Sequence, residues 1–394
     1  MARAFGIYLH IPFCAHRCDY CDFATWTDRA HLMQDYVDAC RRDLTRRNLP
    51  EATTVFFGGG TPSLLPAALL TELLDAVPSV AGAEVTVECN PDTVSYDTFT
   101  EYVAHGVNRI SLGVQSMVPH TLAALGRTHD PENVRRAVED ARRAGIAQIN
   151  VDIIYGADGE SSNDWQTTLH ETLALEPNHV SAYALTVEAG TPLDMRIRQG
   201  DRTAPDDDDQ ATKYQMTVDV LGEAGFVHYE ISNWAQPGGE CRHNQWYWTH
   251  GDYLGIGCAA HSHASGVRWW TVRTPDRYIT AIREGRSAAA GFERLSADSL
   301  AEEAFTLALR TIDGARYVTN ERVDSELDAL VRAGLCERVM SVDGPLIALT
   351  DAGAVVANDI TARLLNAGAA LPLAPTGPLP EWAALDLETG AASQ

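Results

Sequence analysis

The stretch HIPFCAHRCDYCDF, residues 10–23, brings Cys14, Cys18 and Cys21 into one short loop. Thiolates are the soft, anionic ligands that iron–sulfur clusters require, and three of them in one loop can surround a single cluster. The spacing Cys-x3-Cys-x2-Cys supplies ligands for three irons of a cubic cluster and leaves the fourth iron open. An open iron is a place where a small molecule can bind and be reduced.

Two other interpretations of the three cysteines stay open. A structural zinc site takes four ligands, commonly from two Cys-x2-Cys pairs, and this chain has no second pair, although His10 or His16 could supply a fourth ligand. A disulfide framework is disfavoured, because the local group is odd in number and the chain has no other group of cysteines. The remaining cysteines occur singly, at Cys40, Cys89, Cys241, Cys258 and Cys336.

The composition is that of a globular protein with one domain of catalytic size and a smaller one. The chain has 394 residues, of which 45% are hydrophobic, enough for a large core. Its formal net charge of −24 argues against nucleic acid as a partner, because phosphate binding requires clustered Lys and Arg. The opening MARAFGIYLH is too short for a signal peptide and no later apolar run reaches membrane-spanning length, so we expect a cytoplasmic protein without a transmembrane segment.

Short apolar runs alternate with amphipathic stretches of helical period from residue 5 to about residue 190. This alternation is the signature of repeated βα units and a parallel sheet. The predicted strands are 6–10, 54–57, 84–88, 109–113, 149–154 and 180–185. The predicted helices are 32–46, 67–75, 98–105, 131–144 and 165–175. Six such units predict an α/β fold with an open, partial (β/α)6 barrel.

Ligands of parallel α/β folds bind beyond the carboxyl ends of the strands, so the residues that follow each run should face one site. Those residues are polar, glycine-rich or thiol-bearing: Cys14, the GGGT turn at 58–61, Glu88, Gln115, Asp152 and Ala184. The glycines let the backbone approach a ligand closely, although an ordinary tight βα turn explains them equally well.

The other polar groups at the strand ends also have two interpretations each. Glu88 and Asp152 could accept hydrogen bonds from a ligand or could cap the helices that follow. Gln115 and Arg127 could contact a ligand or be ordinary polar groups of loops. Their common placement at strand ends favours a shared binding site.

The chain carries an ordered series of motifs: the three cysteines, GGGTPS at 58–63, ECNPD at 88–92, SLGVQS at 111–116, VDIIYG at 151–156, HYEISNWA at 228–235 and HNQWYW at 243–248. This series resembles the radical S-adenosylmethionine (SAM) superfamily. Within it, the chain is similar to the branch that contains oxygen-independent coproporphyrinogen III oxidase and the HemW haem chaperones. The match runs from the amino terminus to at least Gly266, and the C-terminal region resembles the small helical domain of the same branch.

The resemblance implies a 4Fe–4S cluster on Cys14, Cys18 and Cys21, whose open iron chelates SAM. Matching positions imply a SAM pocket formed by Tyr8, Tyr20, Gly59, Gly60, Thr61, Glu88, Gln115, Arg127, Asp152 and Ala184. In such proteins one electron from the cluster breaks SAM to give a deoxyadenosyl radical, while the protein orients and shields the reactants. No residue is singled out with certainty as catalytic. One departure from the family pattern is Asp158 in YGADGE, where relatives usually carry a proline.

Two details of the amino-terminal region resemble HemW more than the oxidase. The oxidase pattern continues with a further cysteine two residues after the third ligand, whereas this chain has Phe23 there, as HemW does. The oxidase also carries an extension before its first strand, whereas Met1 lies only a few residues before the predicted strand here.

The segment HNQWYW matches the HNxxYW motif of HemW, and the resemblance implies haem binding by His243, Asn244, Tyr247 and Trp248. Imidazole is a common axial ligand of haem iron, and Tyr and Trp offer flat apolar surface to a porphyrin. Without the resemblance, a histidine beside aromatic residues is more often a packed interior group. Further candidates are His261 and His263, for which a structural role is equally plausible.

The resemblance therefore leads us to expect a haem chaperone of the HemW type, which binds haem and delivers it to apoproteins with the support of a cluster and SAM. The alternative is a radical SAM enzyme, either coproporphyrinogen III oxidase-like or a radical methyltransferase. Expected partners are haem or porphyrin, haem-accepting apoproteins and an electron donor for the cluster, with a second copy of the chain as a further candidate.

The predicted domain organisation has four parts. Residues 1–235 form the radical SAM partial barrel, and 236–290 form an aromatic and histidine-rich segment that contains HNQWYW. Residues 291–370 form a small, winged-helix-like C-terminal domain within an α+β extension. Residues 371–394, with four prolines at 372, 375, 378 and 380, form a flexible tail.

Overall fold

The computed structural model describes residues 4–390 apart from 128, 129, 343, 372, 374 and 375. Its strands are β1 (Gly6–Ile11), β2 (Ala52–Gly59), β3 (Ser79–Cys89), β4 (Arg109–Gln115), β5 (Gln148–Tyr155), β6 (His179–Ala184), β7 (Val227–Glu230), β8 (Asn233–Ala235), β9 (Tyr253–Ile256), β10 (His261–Ala264), β11 (Val267–Thr271), β12 (Ala289–Arg294), β13 (Ala315–Arg316), β14 (Cys336–Ser341) and β15 (Gly344–Leu349).

Fifteen α-helices connect and cover these strands within the described residues. They are α1 (Met33–Thr45), α2 (Ala67–Leu74), α3 (Tyr96–Ala104), α4 (Pro119–Ala124), α5 (Pro131–Ala144), α6 (Ser162–Ala174), α7 (Pro192–Gln199), α8 (Asp207–Glu223), α9 (Arg242–Trp248), α10 (Pro275–Arg283), α11 (Ala297–Leu309), α12 (Glu321–Arg332), α13 (Asp351–Val355), α14 (Ala357–Ala367) and α15 (Glu381–Gly390). Short 3-10 helices lie at Ala30–Leu32, Pro62–Leu64 and Pro91–Thr93. No helix of the described ranges is both long and apolar enough to traverse a bilayer.

Strands β1 to β6 form the parallel centre of a twelve-stranded sheet and lie side by side in sequence order. Helices in the connections between them complete the repeated βα units. This arrangement confirms the α/β prediction, and the predicted strands and helices differ from the observed ones by a few residues at their ends. Helix α4 was not predicted. Beyond β1 the sheet continues with parallel β9 and then antiparallel β10, β11 and β12, and beyond β6 it continues with β8 and β7.

The two faces of the parallel strands differ in polarity. Residues such as Val85, Leu112 and Val151 belong to the large hydrophobic core that also contains the buried faces of the helices. The alternate positions on β4 and β5 carry polar groups, including Ser111 and Asp152, although strands buried on both faces are usually apolar throughout. The opposite side of the sheet is therefore built to contact something polar.

A second hydrophobic core lies in the C-terminal part of the chain. It combines helices α11, α12 and α14 with the separate three-stranded sheet of β13, β15 and β14. Its buried residues run from Phe305 to Ala369, inside the segment 291–370 for which a small domain is predicted. The winged-helix-like description of that segment stays a prediction.

The C-terminal segment differs from the flexible tail that was expected. Helix α15 packs on the large core through Trp382, which is 7% exposed, and its Asp386 is 2% exposed. Asp386 accepts hydrogen bonds from Arg47 at 3.0 Å and from the Trp269 indole nitrogen at 2.9 Å. Because Trp382 and Asp386 are four residues apart, they lie on one face of the helix, and this face binds the segment to the sheet.

The buried guanidinium of Arg47 gives a test of this docking. Its Nη2 atom lies 2.8 Å from Asp43 and 2.9 Å from Asp386. We expect Arg47→Met to lower the free energy of unfolding by about 3 kcal/mol, the low end of the range for breaking a buried pair, because Arg46 still reaches Asp43. Urea denaturation measures this loss.

The control is Arg286→Met, which removes an ion pair with Glu284 in which both side chains are more than half exposed. That variant should change stability by less than about 1 kcal/mol. An equally small effect for Arg47→Met would show that the docking of α15 does not depend on this charge network.

Candidate functional site

A cavity of about 560 Å³ lies at the carboxyl ends of the parallel strands. Its lining includes the three cysteines of the amino-terminal loop and nine of the residues predicted to hold SAM: Tyr20, Gly59, Gly60, Thr61, Glu88, Gln115, Arg127, Asp152 and Ala184. Tyr8 is not part of the lining; its hydroxyl lies 3.2 Å from His10 Nδ1 and its ring stacks on Phe56. The fold thus brings together residues from six different strand ends, as expected for a parallel α/β protein.

The cysteine loop leaves β1 and is closed by backbone hydrogen bonds at its base. The Cys14 N–H donates to Trp26 O at 3.1 Å, and the Trp26 N–H donates to Pro12 O at 2.8 Å. On its far side the loop is tied down by Asp19, whose carboxylate pairs with Arg196 at 2.7 Å and whose carbonyl accepts from the Leu193 N–H at 2.9 Å. These contacts position the loop on the rim of the cavity.

The glycine turn after β2 lies directly against the end of β1. A Cβ atom at Gly60 would lie 2.7 Å from Phe13 O and 3.1 Å from Cys14 Sγ. A Cβ atom at Gly59 would lie 2.5 Å from the His10 ring, and the backbone of Gly59 has φ of +113°. Both positions therefore require glycine. The tight-turn interpretation therefore explains both glycines, because the turn must lack side chains to leave room for the cysteine loop, and ligand binding by this motif stays a prediction.

The environment of the thiols fits a multi-iron cluster. Arg127 Nη1 donates to Cys18 Sγ at 3.3 Å, and Thr61 Oγ1 donates to Cys14 Sγ at 3.6 Å. Burial raises the pKa of Cys14, and it raises the pKa of Cys21 to about 11, so a cluster must displace protons when it binds. Among the described residues no three His, Cys, Asp or Glu side chains converge on a point that could hold one ion. A cubic cluster binds each thiolate through a different iron, so it does not need side chains that converge on one point.

Two half-buried carboxyl groups, Glu88 and Asp152, face the cavity without an ion-pair partner among the described residues. Burial and the neighbouring Asp152 raise the pKa of Glu88 to about 8, although the Gly59 N–H donates to it at 3.1 Å. Burial also raises the pKa of Asp152, which accepts from Ser111 Oγ at 2.6 Å and from Asn150 Nδ2 at 2.8 Å. Such groups suit a ligand that brings hydroxyl or amino donors or a positive charge.

Gln115 reaches the cavity through an irregular backbone. Its φ is +64°, a left-handed conformation that is uncommon for residues other than glycine, and the pairing of β4 with β5 shifts register between Gly113 and Gln115. A bulge of this kind re-aims a side chain. A Cβ atom at Gly113 would lie 3.0 Å from Gln115 Nε2, so the missing side chain at Gly113 makes room for the amide.

The HNQWYW segment lies at the opposite end of the strands from the cavity. His243 Nδ1 is 2.8 Å from Thr54 Oγ1 near the start of β2, and its Nε2 is 2.8 Å from Tyr247 Oη. Gly60 lies six residues beyond Thr54, so the histidine and the cysteine loop are separated by about 20 Å along the strand. Burial lowers the pKa of His243 to about 3, and the ring stacks on Phe56. Both ring nitrogens are already engaged inside the protein.

The other residues of this motif do not form one exposed surface with His243. The backbone N–H groups of Arg242 and His243 donate to the buried carboxylate of Glu84 at 3.1 and 2.9 Å, which fixes the amino end of α9. Trp248 lies under the guanidinium of Arg310 at 5.1 Å, and Asn244 is half-buried. Helix α9 therefore closes the amino end of the parallel strands and contacts the C-terminal region.

The remaining sequence candidates lie outside the cavity lining. His263 is buried and its Nδ1 lies 3.0 Å from Gly251 O, whereas His261 is exposed. Asp158, at the position of the family proline, lies 3.4 Å from Arg202 Nη1 and accepts from the Thr203 N–H at 3.4 Å. The Asp158 side chain thus connects its own loop to the segment that contains Arg202 and Thr203.

The sequence analysis missed Ser111 and Tyr183, which also line the cavity. Ser111 and Gly113 occupy alternate positions of β4 before the bulge, so they face the same side of the sheet. A polar residue within an otherwise apolar strand was the sequence feature that could have identified Ser111. Tyr183 precedes Ala184 on β6 and gave no comparable signal, since tyrosine is common in strands.

Comparison with known proteins identifies the family. The model of the radical SAM superfamily matches residues 8–172. The haem chaperone HemW of Mycobacterium tuberculosis is 40% identical over 378 residues, which cover 92% of this chain and 95% of that protein. The chain belongs to the HemW family of radical SAM proteins. The haem chaperone HemW of Escherichia coli is 38% identical over 291 residues, which cover 71% of this chain and 76% of that protein.

The fold has a solved counterpart. The structure of coproporphyrinogen III oxidase (HemN) from Escherichia coli, a radical SAM enzyme, has a TM-score of 0.78 and covers 92% of this chain and 90% of that chain, at 21% identity. This likeness establishes the radical SAM fold. Membership of the superfamily implies a 4Fe–4S cluster and SAM.

A substitution that adds one methyl group to the glycine turn tests its contact with the cysteine loop. We expect Gly60→Ala to lower the iron content of the reconstituted protein severalfold, because the new Cβ would push against Phe13 O and Cys14 Sγ. Iron analysis and the visible absorption of the cluster measure the effect. Gly222→Ala is the control, since nothing lies within 4 Å of its Cβ position. Normal iron content in Gly60→Ala would refute this role of the turn.

The raised pKa of Glu88 predicts a pH dependence of stability. Its pKa is about 8 in the folded chain and ordinarily 4.5, so the folded state binds more protons than the unfolded state between these values. The free energy of unfolding should therefore fall as pH rises from about 5 to about 8. Glu88→Gln should make this fall shallower, whereas the exposed Glu139→Gln should leave it unchanged. Urea denaturation at several pH values checks this, and an unchanged slope in Glu88→Gln would contradict the assignment.

Proposed function

We propose that the chain is a cytoplasmic haem chaperone, which binds haem and hands it to haem-requiring apoproteins with the support of a 4Fe–4S cluster and SAM. The observation that carries this proposal is the 40% identity to a haem chaperone over 92% of the chain. Phe23 adds support, because it lines the cavity where the oxidase pattern would carry another cysteine and its side chain is 62% exposed.

The cavity residues have distinct roles in this proposal. Cys14, Cys18 and Cys21 hold the cluster, and Arg127 stabilises the Cys18 thiolate that it contacts at 3.3 Å. Tyr20 forms part of the cavity wall beside the cysteines. When bound, the cluster supplies electrons to the cavity.

In this proposal the SAM ligand is bound by groups that line the cavity next to the cysteine loop. Gly59, Gly60 and Thr61 offer bare backbone beside Cys14, while Glu88 and Asp152 accept hydrogen bonds from the ligand's amino or hydroxyl donors. Gln115 and Ala184 complete the lining. An external electron donor for the cluster and a second copy of the chain are proposed partners.

Haem binding by His243, Asn244, Tyr247 and Trp248 stays a prediction from the resemblance. Iron ligation by His243 would require the ligating nitrogen to give up its partner, Thr54 at Nδ1 or Tyr247 at Nε2. The geometry favours a supporting role for His243, in which the imidazole holds α9 against the amino end of β2.

The second candidate is a radical SAM enzyme, either coproporphyrinogen III oxidase-like or a radical methyltransferase. The cavity favours it, because a site walled by the ends of six strands would also shield a reactive intermediate. The two functions differ in whether the porphyrin is chemically altered.

An anaerobic assay separates them. We expect the reconstituted chain to bind about one haem per molecule and to leave coproporphyrinogen III unchanged in the presence of SAM and a reductant. Absorption spectroscopy and mass spectrometry measure the two results. Cys18→Ala removes a proposed cluster ligand, and Cys336→Ala, in the separate C-terminal core, is the matched control. A decarboxylated or methylated product that requires Cys18 but not Cys336 would favour the enzyme, and an absence of haem binding would refute the chaperone.

A further inference from the structure

The polar side of the sheet contains a row of buried polar side chains that runs from the cavity towards the amino end of helix α9. Asp152 lines the cavity, and behind it lie Asn150, which is 6% exposed, and His179, which is 1% exposed. The strand register aligns them, because Asn150 pairs with Ser111 on β4 and with His179 on β6. Asp152 lies two residues beyond Asn150 on β5, so it shares the same face of the sheet.

The hydrogen bonds at the cavity end of this row point to Asp152. Asn150 Nδ2 donates to Asp152 Oδ1 at 2.8 Å, and Ser111 Oγ donates to Asp152 Oδ2 at 2.6 Å. Asn150 Nδ2 also donates to Ser111 Oγ at 2.6 Å, which leaves the hydrogen of that hydroxyl for Asp152. Each carboxylate oxygen thus has a donor inside the protein and keeps a further lone pair for a ligand.

His179 fixes the orientation of the Asn150 amide. Its Nδ1 lies 2.6 Å from Asn150 Oδ1, and since a carbonyl oxygen only accepts, the ring hydrogen is on Nδ1. Burial, and after it the charge of Arg109, lowers the pKa of His179 well below its ordinary range, so the ring is neutral and carries one N–H. Ser181 Oγ donates to the same amide oxygen at 3.2 Å. A rotated amide would face these donors with its own NH2 group and would turn its oxygen towards Asp152, so it is disfavoured.

Tyr229 in turn fixes the tautomer of His179. Its hydroxyl lies 2.7 Å from His179 Nε2, and because that nitrogen carries no hydrogen, the phenol is the donor. Tyr229 is 5% exposed, and its oxygen accepts from the N–H of Cys241, directly before helix α9, at 3.4 Å. Tyr229 belongs to the HYEISNWA motif, which contributes no residue to the cavity lining. The donors of Tyr229, His179 and Asn150 therefore all point in one direction, towards Asp152.

This direction determines which ligand groups Asp152 can bind. Burial raises the pKa of Asp152, and the hydrogen bonds from Ser111, Ser181 and Asn150 oppose that rise because they favour the ionised form. An ionised carboxylate has no hydrogen to donate, so a ligand gains from it only by bringing a donor. SAM brings two ribose hydroxyl groups. A site that hydrogen-bonds a hydroxyl discriminates against an analogue without it, because its own polar group is then left unpaired.

We propose that His179 and Tyr229 are positioning residues that hold Asp152 as the acceptor for a ribose hydroxyl of SAM. The inference rests on the proposed binding of SAM in the cavity and adds to it the residues that set the selectivity for ribose over deoxyribose. Neither residue lines the cavity, so both act through Asn150. A network that only stabilised the fold would change the free energy of unfolding when broken, but not the ratio of two ligand affinities.

The affinities of the cluster-reconstituted chain for SAM and for its 2′-deoxy and 3′-deoxy analogues test this role. Isothermal titration calorimetry without a reductant measures them while SAM stays intact. We expect the wild type to bind one of the two analogues about tenfold more weakly than SAM, because Asp152 then lacks its donor. His179→Phe keeps a ring of similar shape and should lower this ratio to about twofold, since Asn150 loses the donor that orients it. Tyr229→Phe should give an intermediate ratio, because the tautomer of His179 is then no longer fixed.

The matched control is Tyr214→Phe. It removes the hydroxyl of another buried tyrosine, which lies 3.2 Å from His228 Nε2 and outside the row that ends at Asp152. This variant should keep the affinity ratio of the wild type. Circular dichroism and iron content establish that each variant is folded and carries its cluster.

The outcomes distinguish this inference from the function on which it rests. If the wild type binds no SAM, the proposed function fails, and the inference fails with it. If the wild type binds SAM and both analogues equally, or if His179→Phe and Tyr229→Phe keep the wild-type ratio, SAM binding stands and the positioning role is refuted. If His179→Phe does not fold, Tyr229→Phe decides alone. An equal fall of the ratio in Tyr214→Phe would also overturn the assignment, since the effect would then not be specific to this row.

Discussion

The close approach of the Gly59–Gly60 backbone to the end of β1 is the constraint on which the site depends. Only a turn without side chains can lie beneath Phe13 and Cys14, and only there can the cysteine loop rest on the rim of the cavity. The same turn directs the Gly59 N–H to Glu88. One steric requirement therefore couples the position of the thiols to the position of the Glu88 carboxyl group.

The parallel strands have two chemically different ends. At the carboxyl ends the cavity collects thiols and two half-buried carboxyl groups that lack an ion-pair partner among the described residues. At the amino ends the polar groups satisfy one another, since Glu84 accepts from the N–H groups that open α9 and lies 3.3 Å from Arg109. The first end is arranged for ligands and the second for holding helix α9 in place.

Most of the predicted site residues do line the cavity, because parallel strands place their carboxyl ends along one edge of the sheet. A residue just after an apolar run, such as Glu88 or Asp152, could therefore be assigned to a common site without knowledge of the structure. The position of α9 could not, because HNQWYW follows the parallel strands in sequence but packs at their amino ends, through contacts such as His243 with Thr54. The backbone of Gln115 and the docking of Trp382 were equally invisible, since both depend on partners distant in sequence.

The engagement of His243 bears most on function. His243 carries the motif that resembles HemW, yet both of its ring nitrogens have partners inside the protein, Thr54 and Tyr247. A chaperone must bind its cargo and also release it.

Transfer of haem is the most direct test of the central claim. The haem-loaded chain is mixed with a haem-free globin, and the two proteins are then separated. The amount of haem on each protein is measured by absorption spectroscopy, and the mass of the recovered porphyrin is determined by mass spectrometry. The account predicts that haem moves to the globin with its porphyrin chemically unchanged. Retention of haem on the chain, or recovery of an altered porphyrin, would contradict it.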